Sequence, residues 1–338
     1  MKRHVASLML ALFITSLAWA WAAAGHRTIT VLALGLLPPE APAWLREPSI
    51  MERIAFESNE PDRWRGVTQP SLNHANNPDH YLDIEMLAEH GLTLRTMPAM
   101  RYEFIAAITK KPSAPTTQSA RGVQRFISED IGTLPYAIME HHAKLVSSFN
   151  TLRILEGLNE PARAAETEAA RWNVILEMGQ LSHFVGDAGQ PLHTTIHHHG
   201  WVGENPHAYT TDRGFHAYID VDVVALHALN AEALKSSLKP LPGIAPGGVW
   251  EAAIALIERS FAAIEPLYQL QQSGELQKDA GRKLIADRMA DSAQVLAAFY
   301  WLAWQQSEPT QQQIDTFVKF DDFGEEQGWA VPATQPGP

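Results

Sequence analysis

Three residues able to bind a metal fall within eleven positions: His183-Phe-Val-Gly-Asp187-Ala-Gly-Gln-Pro-Leu-His193. His183 and Asp187 are four apart, so on a helix they project from one face, one turn above the other. Gly189 and Pro191 end such a helix and place His193 on the turn that follows. Imidazole nitrogens and carboxylate oxygens converging in this way are what a divalent metal site requires. A capped helix carrying a satisfied His–Asp pair is the alternative reading of the same segment.

The spacing recurs in His216-Ala-Tyr-Ile-Asp220. One such pair is common on exposed helices, but two with His193 between them point to a multinuclear site. Upstream, Asn59-Glu-Pro-Asp62-Arg-Trp-Arg65 and Asp79-His80-Tyr81-Leu82-Asp83 set further ligand-type residues in polar loops or helix starts. Read singly, Asp62 is a helix cap and His80 a surface histidine. The chain has 15 His and no Cys, which excludes disulfides, thiolate ligands and cysteine nucleophiles together. Any metal site must use nitrogen and oxygen donors.

The start of the chain bears on the same chemistry. Lys2, Arg3 and His4 precede an apolar run from Leu8 to Leu17, and Ala18-Trp19-Ala20 is a small-x-small cleavage site. This is the layout of a secretory signal peptide at residues 1–20, and it predicts a secreted or periplasmic protein. The apolar run is short for an uncleaved anchor. Cleavage after Ala20 would expose Trp21 as a free α-amine, whose pKa near 8 lets a metal displace its proton, with His26 five residues on. Trp21 could equally be no more than the first ordered residue.

The elements that must carry these residues read as helices. Ile254, Ile257, Phe261, Ile264 and Tyr268 recur at spacings of three and four, as do Ile285, Met289, Ser292, Leu296, Phe299 and Ala303. Both stripes are core faces. Further helices are predicted at about 27–37, 98–110, 132–156, 162–187 and 216–225. No stretch alternates as a strand does. Pro- and Gly-rich connections at 111–117, 189–214 and 239–248 do not read as interdomain linkers, and the Pro-rich tail 331–338 is expected to be disordered. The expectation is one compact all-α domain over 21–330.

Composition narrows the function. Hydrophobic residues make up 46% of 338, which suits a globular chain. The formal charge is −12, and −14 without residues 1–20. A protein holding nucleic acid on a broad basic surface would carry the opposite sign. Action on a polyanion would need positive charge concentrated in one place, and bound metal can supply it.

Taken in order, these motifs resemble the zinc-dependent single-strand-specific nucleases of the S-one/P-one type, which are related to the bacterial zinc phospholipases C. The likeness runs from residue 21 to 220: Trp at the mature terminus with Gly-His following, an acidic residue before Arg, His-Tyr, His-x-x-x-Asp-x-x-x-x-Pro-x-His, then His-x-x-x-Asp. It implies three Zn²⁺ in an all-α hydrolase of the nuclease and phospholipase C type. Asp62, His80, His183 and Asp187 would hold one. His193, His216 and Asp220 would hold a second. The Trp21 amine and carbonyl, His26 and again Asp187 would hold the third, leaving the cluster about +3.

The resemblance also implies a reaction. A zinc-bound hydroxide would attack phosphorus in line with Asp62 orienting or deprotonating it, yielding 5′-phosphorylated products from single-stranded DNA or RNA. Tyr81 is a candidate platform for an unstacked base, or a tyrosine packed beside a ligand. The last ligand is Asp220, where the phospholipases typically have Glu, which favours a nuclease over a zinc-dependent phospholipase C. A non-catalytic, zinc-stabilised binding protein is the reading of a different class. No protein partner or stable membrane anchor is indicated. Departures are the lack of disulfides, Ala22 where the family usually has Gly, and the loop His197-His-His-Gly-Trp201, which does not match the family loop. Those histidines read as a solvated loop near the site or as an adventitious metal site.

Overall fold

The computed structural model describes residues 21–109 and 130–320. Among them there are helices and no strands, so the all-α expectation holds. The helices are α1 (Ala22–Gly35), α2 (Pro48–Glu57), α3 (Glu60–Arg65), α4 (Pro70–Asn76), α5 (Arg101–Ile108), α6 (Leu134–Leu158) and α7 (Ala164–Gly189), joined by shorter turns. After these come a helical run α8 at 215–226, then α9 (Val249–Phe261), α10 (Ile264–Ser273), α11 (Asp279–Gln306) and α12 (Gln311–Phe320). No described helix is long and apolar enough to cross a membrane. The segment 1–20, the connection at 111–117 and the tail 331–338 lie outside the described residues.

Helix α7 is the axis of the fold. It packs against α1, α2, α6, α9 and α11, and every residue from Met178 to Gly189 is buried. A helix enclosed on all sides has no solvent face for polar residues to occupy. His183 and Asp187 therefore sit in the core. The stripe on α11 is a core face as expected: Ile285, Met289, Ser292, Leu296, Phe299 and Ala303 are all buried. Each large apolar member removes enough surface from water to contribute roughly 1.5–3 kcal/mol. The other stripe spans two helices, because the chain breaks at Ala262-Ala263 between α9 and α10.

Two close approaches let α7 serve so many neighbours. A Cβ at Gly179 would lie 2.3 Å from the Glu57 Cβ, so only glycine allows α2 so near. A Cβ at Gly186 would lie 2.7 Å from His26 Nδ1, and glycine there admits α1. Helix α1 itself begins at Ala22, well before the expected 27, because Ala22-Ala23-Ala24 favours helix and Trp21 anchors its start.

Candidate metal centre

Asp187 and His183 lie one turn apart near the end of α7, both without solvent exposure. Gln190, extended at φ −89° and ψ 118°, ends the helix, and the single turn Pro191–His193 swings His193 back toward it. The second pair comes from α8. Its middle, Tyr218–Val223, is a π-helical turn, a widening often found at functional sites. His216 Nε2 and Asp220 Oδ2 nonetheless face each other at 3.2 Å.

Other elements bring the remaining residues in. Asp62 comes from α3 and His80 from the turn Asn77–His80. The reading of His80 as a surface histidine is overturned, because it is fully buried; Asp62 lies inside the first turn of α3 rather than capping it. Packing of both against α7 excludes the solvent that those local readings assume. Trp21 is buried too. Its indole donates to the Gly186 carbonyl at 2.9 Å and its backbone N–H donates to Asp220.

Two groups form. In the first, Asp187 Oδ2 lies 3.1 Å from His80 Nδ1 and 3.3 Å from His183 Nε2, while Oδ1 faces His26 Nε2 at 3.4 Å. Asp62 Oδ1 stands 3.9 Å from His80 Nδ1 and 4.0 Å from His183 Nε2. His26–His183–Asp187 and Asp62–His80–His183 each place three donor atoms close enough to hold one cation. In the second group the rings of His193 and His216 meet edge to face at 4.9 Å, beside Asp220.

Backbone carbonyls decide which ring nitrogens are available. His183 Nδ1 donates to the Ser58 carbonyl at 2.8 Å, so Nε2 keeps its lone pair toward Asp62, His80 and Asp187. His193 Nδ1 donates to the His80 carbonyl, which leaves Nε2 as the free acceptor. The residues fit a metal on one test that owes nothing to resemblance. Asp62 Oδ2, His193 Nε2, His216 Nε2 and Asp220 Oδ2 are buried without a hydrogen-bond partner. Leaving such groups unpaired costs about 1–3 kcal/mol each, and coordinated cations, one at each group, would satisfy them.

Electrostatics separate the two groups. Burial alone would raise Asp187, but His183 and His193 hold its carboxyl well below the usual range. Asp62 is lowered likewise, against its burial, by His183, His80, His26 and Arg65. Asp220 goes the other way: burial pushes it well above the usual range, the hydrogen bond from Gln190 offsets part of that, and Asp187 and Asp62 add to it. Burial keeps His216 well below its ordinary value, reinforced by His193, His198 and His199. Burial lowers His183, but Asp187 and Asp62 outweigh it and raise its pKa overall. Neutral imidazoles and ionised carboxylates are the forms that bind metal, so a cation taken up here would displace protons from His183 and Asp220.

Sequence reasoning passed over three contributors. The Ser58 carbonyl sets the His183 tautomer, a role no side chain announces. Gln190 donates to Asp220. Arg65 follows Asp62 at a spacing of three, pairs with its Oδ1 at 3.4 Å and helps to lower its pKa; the Asp-x-x-Arg spacing was its available signal. Tyr81 is half-buried in extended backbone, its carbonyl held by the Leu134 N–H. In the histidine loop, His197 stacks on Trp201 at 3.8 Å, and the His199 ring lies 5.8 Å from that of His216. No protein-family model matches the chain, and no curated protein matches it.

Proposed function

We propose that the chain is an exported, zinc-dependent phosphodiesterase that hydrolyses single-stranded DNA or RNA to 5′-phosphorylated products. The observation that carries this reading is the burial of histidines and aspartates from distant segments in two overlapping triads that share His183, with His193, His216 and Asp220 alongside and lone pairs left unbonded. Asp62, His80, His183 and Asp187 would hold one zinc. His193, His216 and Asp220 would hold another, and the Trp21 amine and carbonyl with His26 and Asp187 a third. When bound, zinc supplies Lewis acidity that brings the pKa of water to about 7 and offsets phosphate charge.

The chain's own groups divide the remaining work. Asp62 stays ionised, and its unbonded Oδ2 is available to orient the attacking water and take its proton. Arg65 brings positive charge beside Asp62, where a phosphate oxygen can be drawn in against the overall negative charge of the protein. Tyr81 offers a ring to an unstacked base, a contact worth about 1–3 kcal/mol. Bases held in a duplex cannot present their faces, which favours single strands.

The test is a parallel assay of the zinc-loaded chain beginning at Trp21 on single-stranded DNA, RNA and phosphatidylcholine, with and without chelator. Release of 5′-nucleotides that chelator abolishes is the expected result. Release of diacylglycerol alone would make the chain a phospholipase. Zinc binding with no hydrolysis would leave only a binding protein.

A further inference from the structure

Gln190 is bonded to three of the metal-type residues at once. Its backbone N–H donates to the Asp187 carbonyl at 3.0 Å, and its own carbonyl accepts from the His193 N–H at 3.0 Å. Its side-chain Nε2 donates to Asp220 Oδ1 at 2.7 Å, while Oε1 accepts from the Leu192 N–H. The residue is fully buried. Its amide can point only one way, since the reverse would set Oε1 against a carboxylate and the NH₂ against an N–H. One oxygen of Asp220 is thereby committed. The other, Oδ2, has no hydrogen-bond partner and lies 3.2 Å from His216 Nε2.

We propose that Gln190 is a positioning residue that engages Asp220 Oδ1 so that Oδ2 is presented, beside His216 and His193, as the ligand oxygen of the second cation site. The inference rests on the metal reading of the centre and adds to it how that site is assembled. Without the amide, the Asp220 carboxylate loses a side-chain donor that fixes its rotation, and Oδ1 becomes a buried acceptor with its pairing weakened. The same amide caps the turn that carries His193, so one side chain aligns two of the three donors of this group.

The experiment titrates metal-free wild type, Gln190→Met and Gln190→Glu with zinc against a chromophoric chelator, and records cobalt(II) d–d spectra alongside. Met removes both side-chain hydrogen bonds at similar length. Glu keeps the acceptor for Leu192 but has no donor for Asp220, and it carries the test if the Met variant does not fold. The expected result is a 10–100-fold loss of affinity confined to one class of ion, with a changed cobalt spectrum for that ion alone. In an Asp220→Asn background, Gln190→Met should change nothing further at that ion. Equal weakening of every ion, or unchanged affinities, would overturn the positioning role while leaving the metal centre intact. A wild type that binds no zinc would overturn the metal reading, and the role of Gln190 with it.

Discussion

The carboxylate of Asp187 faces the imidazole of His26 at 3.4 Å through Oδ1, while its Oδ2 serves His80 and His183. The His26 and His183 rings stack at 4.2 Å between centroids, and His193 Nδ1 approaches Oδ2 at 3.8 Å, so four imidazoles surround one aspartate. Asp187 therefore belongs to both proposed ion positions of the first group. Asp187→Asn keeps the shape and removes the charge. Zinc content after dialysis should fall by more than one ion, and the proposed phosphodiesterase activity by at least about 100-fold. Full zinc retention in this variant would sink the shared-ligand reading.

Gly186 is the point where α7 admits α1. An alanine Cβ there would come within 2.7 Å of His26 Nδ1 and 3.0 Å of its Cε1. Gly186→Ala should cost about 1–3 kcal/mol from overpacking and displace His26. Thermal melting with zinc analysis would show both losses; a variant as stable and as metal-rich as wild type would refute the contact.

Much of this was legible in the sequence, for physical reasons. His183 and Asp187 declare a shared face because a helix repeats every 3.6 residues, and Gly189 and Pro191 fix where His193 turns. Apolar periodicity located α6, α7 and α11 for the same reason. The burial of His80, which only the resemblance marked as a ligand, could not be read from its own segment, because it comes from packing against α7 and not from its neighbours in the chain. Gln190 reads as a loop amide until α8 folds back and places Asp220 against it. The break at Ala262-Ala263 was hidden because the apolar spacing continues across it.

Trp21 is buried with its backbone N–H on Asp220 and its indole on Gly186, which leaves no room for slack at the start of α1. Chains that begin at Trp21 should therefore differ from chains that keep one extra residue. The extension converts a basic amine into an amide, and an amide nitrogen is a poor metal ligand. Zinc analysis should show about one ion fewer, with sharply reduced hydrolysis, in the extended form. Equal zinc and equal rates in the two forms would refute the ligand role of Trp21.

His142 provides a pH-dependent prediction away from the proposed ligands. It is buried on α6 with its ring edge to face with Phe299 at 5.8 Å, and burial lowers its pKa from 6.5 to about 4 despite a hydrogen bond to the Phe299 backbone. Below about pH 6.5 the unfolded chain takes up a proton at this position that the folded chain refuses until about pH 4. Protonation therefore favours unfolding, and the stability that is complete above pH 6.5 is lost as pH falls through that window. The full loss is about 3 kcal/mol at roughly 1.4 kcal/mol per pH unit. Urea denaturation of metal-free wild type and His142→Leu at pH 7.5 and 4.5 isolates the term, because every other titrating group is common to both. The variant should lose about 2–3 kcal/mol less than wild type between the two conditions. Parallel losses in the two proteins would show that His142 titrates alike folded and unfolded.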